Sequence, residues 1–174
     1  MRRFIPVAVA IISVMAFFAA CTFFQDEPID PITDFAATAK VTENENVFSC
    51  EVSNTKEGVA SVMLTAPETL QGLCFKWLGG DACSIEYKDL FCQSNTEYLP
   101  ATSFASALIH VLSACSLPEQ LSIKQREKAY TCFLGTCESG DFIITCDNQT
   151  GFIQKVEINE LSLIVELQDQ KAFT

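Results

Sequence analysis

The sequence predicts a mainly β fold: a strongly curved antiparallel sheet, or open half-barrel, of about ten strands with one covering helix. Three observations predict it. Apolar and polar residues alternate through most of the chain after Asp34, turn sequences rich in Gly, Asn and Asp separate these runs, and one segment alone shows clear helical spacing. One helix is too small to cover the whole apolar concave face that such a sheet presents.

The first half of the domain is predicted to be a series of short strands. They fall at 35–41, 48–52, 60–65, 73–77 and 83–87, with a further strand around 90–92. Gly79-Gly80 predicts a two-residue hairpin turn, because glycine adopts the positive φ angles that such turns need.

The only predicted helix follows Pro100. Thr102 or Ser103 can cap its start, and its apolar positions recur at helical spacing: Phe104, Ala107, Leu108, Val111, Leu112 and Cys115. Leu117-Pro118 ends it. A polar stretch over 119–128 separates the helix from four more predicted strands, at 129–135, 141–147, 151–158 and 160–168.

The N-terminus has the features of an export signal. A cationic start and an uncharged apolar run lead to Phe18-Ala19-Ala20-Cys21, which resembles the lipobox of bacterial lipoproteins, where the Cys thiol receives the lipid. This predicts a signal peptide at 1–20, lipidated Cys21 with an acidic tether to 33, a domain at 34–169 and a tail at 170–174. The alternative is an uncleaved membrane helix over 4–24. Both place the domain on the extracytoplasmic side of the cell membrane.

Charge limits the partners of the domain. The chain has 11 Lys and Arg against 22 Asp and Glu, for a net charge of −11. Nucleic acid is therefore not an expected partner, and the domain should stand off anionic headgroups, held to the membrane by its lipid anchor.

Eight cysteines remain after Cys21, and an extracytoplasmic location permits disulfides. If the turn around 138–140 places Cys132 directly opposite Cys146, this pair is the expected bridge. A two-residue turn would offset them by one and put them on opposite faces. All eight cysteines can also be reduced, since free cysteine packs as a small apolar residue.

No catalytic or metal-binding pattern stands out. The single histidine, His110, lies on the predicted helix on a different face from Cys115, so it is not expected to activate that thiol. Cys132 and Cys137 lie on one predicted strand with opposite side-chain parity, so they are not expected to form a zinc site with Cys146. We therefore expect no enzymatic activity, no cofactor and no metal.

Several segments resemble the LolA/LppX-like family of exported lipid- and lipoprotein-handling proteins. They are Phe48-Xaa-Cys50-Xaa-Val52, the run from Pro67-Glu68 to Phe75-Xaa-Trp77, Leu99-Pro100 before Phe104, and Phe142-Xaa-Ile144 through Thr150-Gly151-Phe152. The resemblance covers 33–169. It implies an apolar cleft in the sheet concavity, for which the candidate residues are Phe48, Phe75, Trp77, Tyr87, Leu108, Leu112 and Phe142.

The functional hypothesis is therefore a non-enzymatic, lipid-anchored envelope protein that binds a lipid, an acyl chain or a lipoprotein in this cleft. The alternative is an interaction or sensor module with a closed core, whose edge strand or acidic face meets another protein. A third hypothesis is a thiol-based redox protein.

Overall fold

The computed structural model describes residues 29–55 and 57–173, so the predicted signal peptide and Cys21 lie outside the described residues. The described chain forms eleven strands and one α-helix, α1 (Phe104–Cys115). The strands are β1 (Phe35–Glu43), β2 (Asn46–Asn54), β3 (Val59–Ala66), β4 (Cys74–Leu78), β5 (Ala82–Tyr87), β6 (Leu90–Asn95), β7 (Ser122–Arg126), β8 (Tyr130–Cys137), β9 (Gly140–Asp147), β10 (Ile153–Ile158) and β11 (Leu163–Ala172).

All eleven strands belong to one antiparallel sheet that does not close, in the order β6-β5-β4-β3-β2-β1-β11-β10-β9-β8-β7. The first and last strands pair at its centre, and β6 and β7 are its edges. The predicted mainly β half-barrel with one helix is confirmed. The strand missing from the prediction is β7, whose five residues are all exposed and therefore do not alternate in hydrophobicity.

The helix packs on the inner face of the sheet, and its backbone comes close to that of β8. Ser103 caps it by accepting a hydrogen bond from the Ser106 amide through its side-chain oxygen. Nine of its twelve residues are buried, and Leu108, Val111 and Leu112 are 0% exposed. They form one core with inward-facing residues from β1 to β4 and from β8 to β11.

The described part of the predicted tether packs on the domain. The Ile32 amide donates to the Gly151 carbonyl, and the Thr33 carbonyl accepts from the Asn54 side chain at 2.7 Å. Thr33 Oγ1 also accepts from Ser116, just after α1. The chain therefore enters the fold beside the C-terminal end of the helix. In the part of the chain that the structure describes, no helix is long and apolar enough to cross a bilayer.

The β8–β9 register corrects the predicted disulfide. Cys137 pairs with Gly140 around a two-residue turn, so Thr131 faces Cys146 and Cys132 faces Thr145. Cys132 and Cys146 are offset by one residue and point to opposite faces of the sheet. The direct opposition that the prediction required is absent, and all eight described cysteines are free thiols.

Candidate functional site

The structure places four of the seven predicted cleft residues in the closed core. Leu108 and Leu112 on α1 have no exposed surface, while Phe142 on β9 is 1% exposed and Trp77 on β4 is 6% exposed. A side chain with no accessible area touches no space large enough for a water molecule. The centre of the concave face is thus filled by the protein's own side chains.

Phe48 lies where the helix begins. Its ring stacks on that of Phe104, with 5.2 Å between the ring centroids and 15° between the planes. Phe48 faces inward on β2, opposite Val41. The rings of Phe48 and Phe104 are both only partly buried. The stacked pair packs against the core at this end of the helix.

The remaining two predicted residues, Phe75 and Tyr87, belong to an apolar strip beyond the helix. The register pairs Phe75 with Ile85, Ile85 with Cys92, and Tyr87 with Leu90, so these side chains share the inner face that carries Trp77. We call these five residues the β4–β6 strip: Phe75, Ile85, Tyr87, Leu90 and Cys92. Phe75, Ile85 and Tyr87 are partly exposed, Cys92 is exposed, and Leu90 is 73% exposed. The strip continues the apolar core surface into solvent.

Tyr87 is fixed within the strip by its polar end. Its hydroxyl donates to the Thr69 carbonyl at 2.6 Å, and the Lys88 ammonium lies 4.9 Å from its ring centroid. The phenol group is therefore held at one end, while the ring contributes apolar surface to the strip.

The opposite, outer face of the sheet is chemically different. One groove there is lined by polar side chains of β9 to β11, including Thr145, Lys155 and Glu166. A second groove spans β1 to β4 beside Lys76, whose ammonium lies 2.7 Å from a carboxylate oxygen of Glu86. Neither groove coincides with the predicted cleft.

His110 links the helix to the β8–β9 turn. Its Nδ1 lies 3.0 Å from the Ser139 hydroxyl oxygen, and its Nε2 lies 3.7 Å from a Glu138 carboxylate oxygen. Ser139 donates its own proton to the Ala101 carbonyl at 2.7 Å, so Nδ1 must act as the donor to Ser139. In this geometry His110 does not accept the serine proton. The contacts instead connect α1, the turn and the segment before the helix.

The thiols of four buried cysteines are weakly acidic. Burial raises the pKa of the Cys50 thiol and that of the Cys146 thiol to about 12, and it raises the pKa of Cys115 further. Burial also raises the pKa of Cys83, with a smaller contribution from Cys92 across the β5–β6 hairpin. Within 29–55 and 57–173, no group of three or more His, Cys, Asp and Glu side chains is arranged to hold a metal ion.

Sequence reasoning did not select Ile85, Leu90 and Cys92 as candidate site residues. The Lys88-Asp89 turn is the sequence feature that would have indicated these three residues. A two-residue turn there pairs Tyr87 with Leu90 and therefore Ile85 with Cys92, which places all of them on the face of Phe75.

Several solved structures match this chain at low sequence identity. An uncharacterized conserved protein from Thermus thermophilus matches with a TM-score of 0.50 and 9% identity, over 80% of this chain and 78% of its own. A LolA superfamily protein from Nitrosomonas europaea has a TM-score of 0.42 and 10% identity, over 85% and 88% of the two chains. The structure of the CwlD amidase with the GerS lipoprotein from Clostridioides difficile matches with a TM-score of 0.43 and 13% identity, over 93% of this chain and 92% of the matched chain.

No family model and no curated protein matches the sequence. The structural likeness therefore concerns the fold. A LolA superfamily protein is among the solved structures that match the chain.

Proposed function

We propose that this chain is a non-enzymatic, membrane-anchored extracytoplasmic lipoprotein that binds an apolar ligand on the concave face of its sheet. The ligand is a lipid acyl chain or the apolar part of a lipoprotein, and it lies on the β4–β6 strip. The anchor is Cys21 at the end of the lipobox.

One observation carries the proposal: the strip leaves apolar side chains partly exposed on the face that is otherwise covered by α1. Fully burying a large apolar side chain contributes about 1.5–3 kcal/mol. Covering Leu90 and the exposed parts of Phe75 and Ile85 thus supplies a gain of a few kcal/mol. An acyl chain obtains this gain without moving the helix.

Trp77 reports on the strip because it is the only tryptophan. It lies two residues from Phe75 on the same strand face, which is about 7 Å along a strand. The experiment titrates the full-length protein in detergent-free nanodiscs with a brominated fatty acid, whose bromine atoms quench tryptophan emission at short range. Saturable quenching of Trp77 is the expected result.

The chain offers a matched pair of variants. Leu90 and Phe91 are neighbours on β6 and are 73% and 64% exposed, but they point to opposite faces of the sheet. Leu90→Glu should weaken the quenching about tenfold or more, because it places a charge against the acyl chain. Phe91→Glu should leave it unchanged. Equal effects of the two variants, or no saturable quenching of the wild type, would refute binding on the strip.

A further inference from the structure

The two edges of the sheet differ in how they are protected. Strand β7 carries Lys124 and Arg126, and its pairing with β8 is interrupted between Ile123 and Gln125. Charged side chains and bulges of this kind discourage another strand from pairing with an edge. Strand β6, with the sequence LFCQSN, has no charge and no proline, and it pairs with β5 without interruption over all six residues.

The hydrogen-bonding pattern shows which groups of β6 face the free edge. The Thr96 amide donates to the Asp81 carbonyl at 2.8 Å, so this pair is hydrogen-bonded across the hairpin. Bonded and non-bonded pairs alternate in an antiparallel ladder. Cys92 and Ser94 therefore bond to β5, whereas the amide and carbonyl groups of Phe91 and Gln93 point away from β5. These groups form a regular row along the edge.

The surroundings of β6 are acidic. Asp89 precedes the strand, Glu97 follows it, and Asp81 lies beside its C-terminal end; all three are exposed. The nearest cation, Lys88, lies over the Tyr87 ring. A second copy of this chain, with a net charge of −11, would bring like charges together at this edge. A segment with Lys or Arg at its ends is complementary to it.

We propose that β6 is a docking edge for a partner protein, which adds an extended, cation-flanked segment to the sheet as a twelfth strand. The main chain of the partner pairs with the amide and carbonyl groups of Phe91 and Gln93. Its side chains on one face lie against Leu90 and Cys92, and those on the other face lie against Phe91. The backbone pairing uses Phe91 and Gln93, which do not belong to the β4–β6 strip.

The probe is a synthetic peptide, acetyl-Lys-Thr-Val-Thr-Val-Thr-Lys-amide, at about 1 mM, a concentration at which even weak binding is detected. Hydrogen exchange of the full-length protein in nanodiscs is followed by mass spectrometry. The peptide should slow the hydrogen exchange of segment 90–95 about tenfold, and it should leave the hydrogen exchange of β7 unchanged. A peptide with Glu in place of both Lys should bind several-fold more weakly, and the difference should shrink with added salt.

Gln93→Pro tests the backbone directly. It removes an amide that faces the free edge, so it leaves the bonds to β5 intact. We expect a five- to tenfold loss of peptide affinity, whereas Gln93→Ala, which keeps the amide, should bind like the wild type. Quenching by the brominated fatty acid should be unchanged in both variants, which separates failure of this proposal from failure of lipid binding.

Four results would overturn the proposal: no protection of segment 90–95, protection of β7 instead, equal binding of the two peptides, or equal binding by the two Gln93 variants. Sedimentation without peptide supplies one more test. A dimer that protects segment 90–95 would show that the occupant is a second copy, and this would also contradict the proposal.

Discussion

Leu108→Ala tests whether the helix is closed on the sheet in solution. Leu108 is 0% exposed at the centre of the core, so truncating it removes three buried carbon atoms and leaves a cavity beneath α1. Substitutions of this kind cost about 2–5 kcal/mol, of which the three carbons account for about 2.4 kcal/mol and the cavity for the rest. Since small domains unfold with about 5–15 kcal/mol, the effect is a large part of the stability.

The assay is urea unfolding of the full chain, followed by Trp77 fluorescence and circular dichroism. Ser113→Ala is the control on the same helix. Ser113 is exposed, so its substitution should change the free energy of unfolding by no more than about 0.5 kcal/mol. A loss below about 1 kcal/mol for Leu108→Ala, or equal effects of the two variants, would refute the closed packing of α1.

The same variant separates two routes of ligand entry. Lifting the helix would expose Leu108, Val111 and Leu112, at a cost of about 5–9 kcal/mol for the three side chains. This is comparable with the whole binding free energy of a micromolar ligand, about 8 kcal/mol. Binding on the strip avoids the cost, so Leu108→Ala should leave quenching by the brominated fatty acid unchanged. Tighter binding by this variant would indicate entry beneath α1.

Three further predictions concern other contacts. Ser139→Ala leaves the Ala101 carbonyl and His110 Nδ1 without their partner, so it should cost about 1–3 kcal/mol in urea unfolding, and Ser139→Thr should recover part of the loss. In native protein, iodoacetamide should label exposed Cys92 first and Cys50, Cys115 and Cys146 last, as read by peptide mapping; early labelling of Cys115 would contradict the described core. Hydrogen bonds from the Thr150 amide, the Thr150 hydroxyl and the Gln149 amide lower the pKa of Asp147. The ionised Asp147 side chain stabilises the fold fully above the ordinary aspartate pKa, and this stabilisation is lost as pH falls through the lowered pKa. In Asp147→Asn, the free energy of unfolding should therefore fall less steeply with decreasing pH at the acid end. An unchanged pH dependence of the free energy of unfolding would contradict this prediction.

The sequence was informative where one face of an element is buried and the other is not. Phe48, Cys50 and Val52 alternate because β2 has one face on the core, and the helical spacing from Phe104 to Cys115 reflects a single buried helix face. Strand β7 is not predicted, because neither of its faces is buried. All of its residues are exposed, so nothing in its composition distinguishes it from a loop.

Register and closure depend on contacts that the local sequence does not contain. The sequence predicts a turn at 138–140, but the length of that turn decides whether Cys132 lies opposite Cys146. A difference of one residue moves one of the two side chains to the other face of the sheet. The predicted cleft includes Leu108 and Phe142 together with Phe75 and Tyr87, because all four are apolar and are expected to face inward. Which of these residues are buried in the core and which belong to the exposed β4–β6 strip depends on where α1 lies on the sheet, and the local sequence does not contain that information.

The pairing of β1 with β11 has a consequence for how the chain reaches its folded state. Thr38 and Gln168 are partners at the middle of the sheet although 130 residues separate them. A chain that emerges with its N-terminus first, from a ribosome or a translocation channel, presents β1 long before β11 exists. Until then the first hairpin has a free edge at what becomes the centre of the sheet. Such long-range pairing is slow and leaves strands open to aggregation, so shielding of β1 during synthesis matters as much for yield as the final stability.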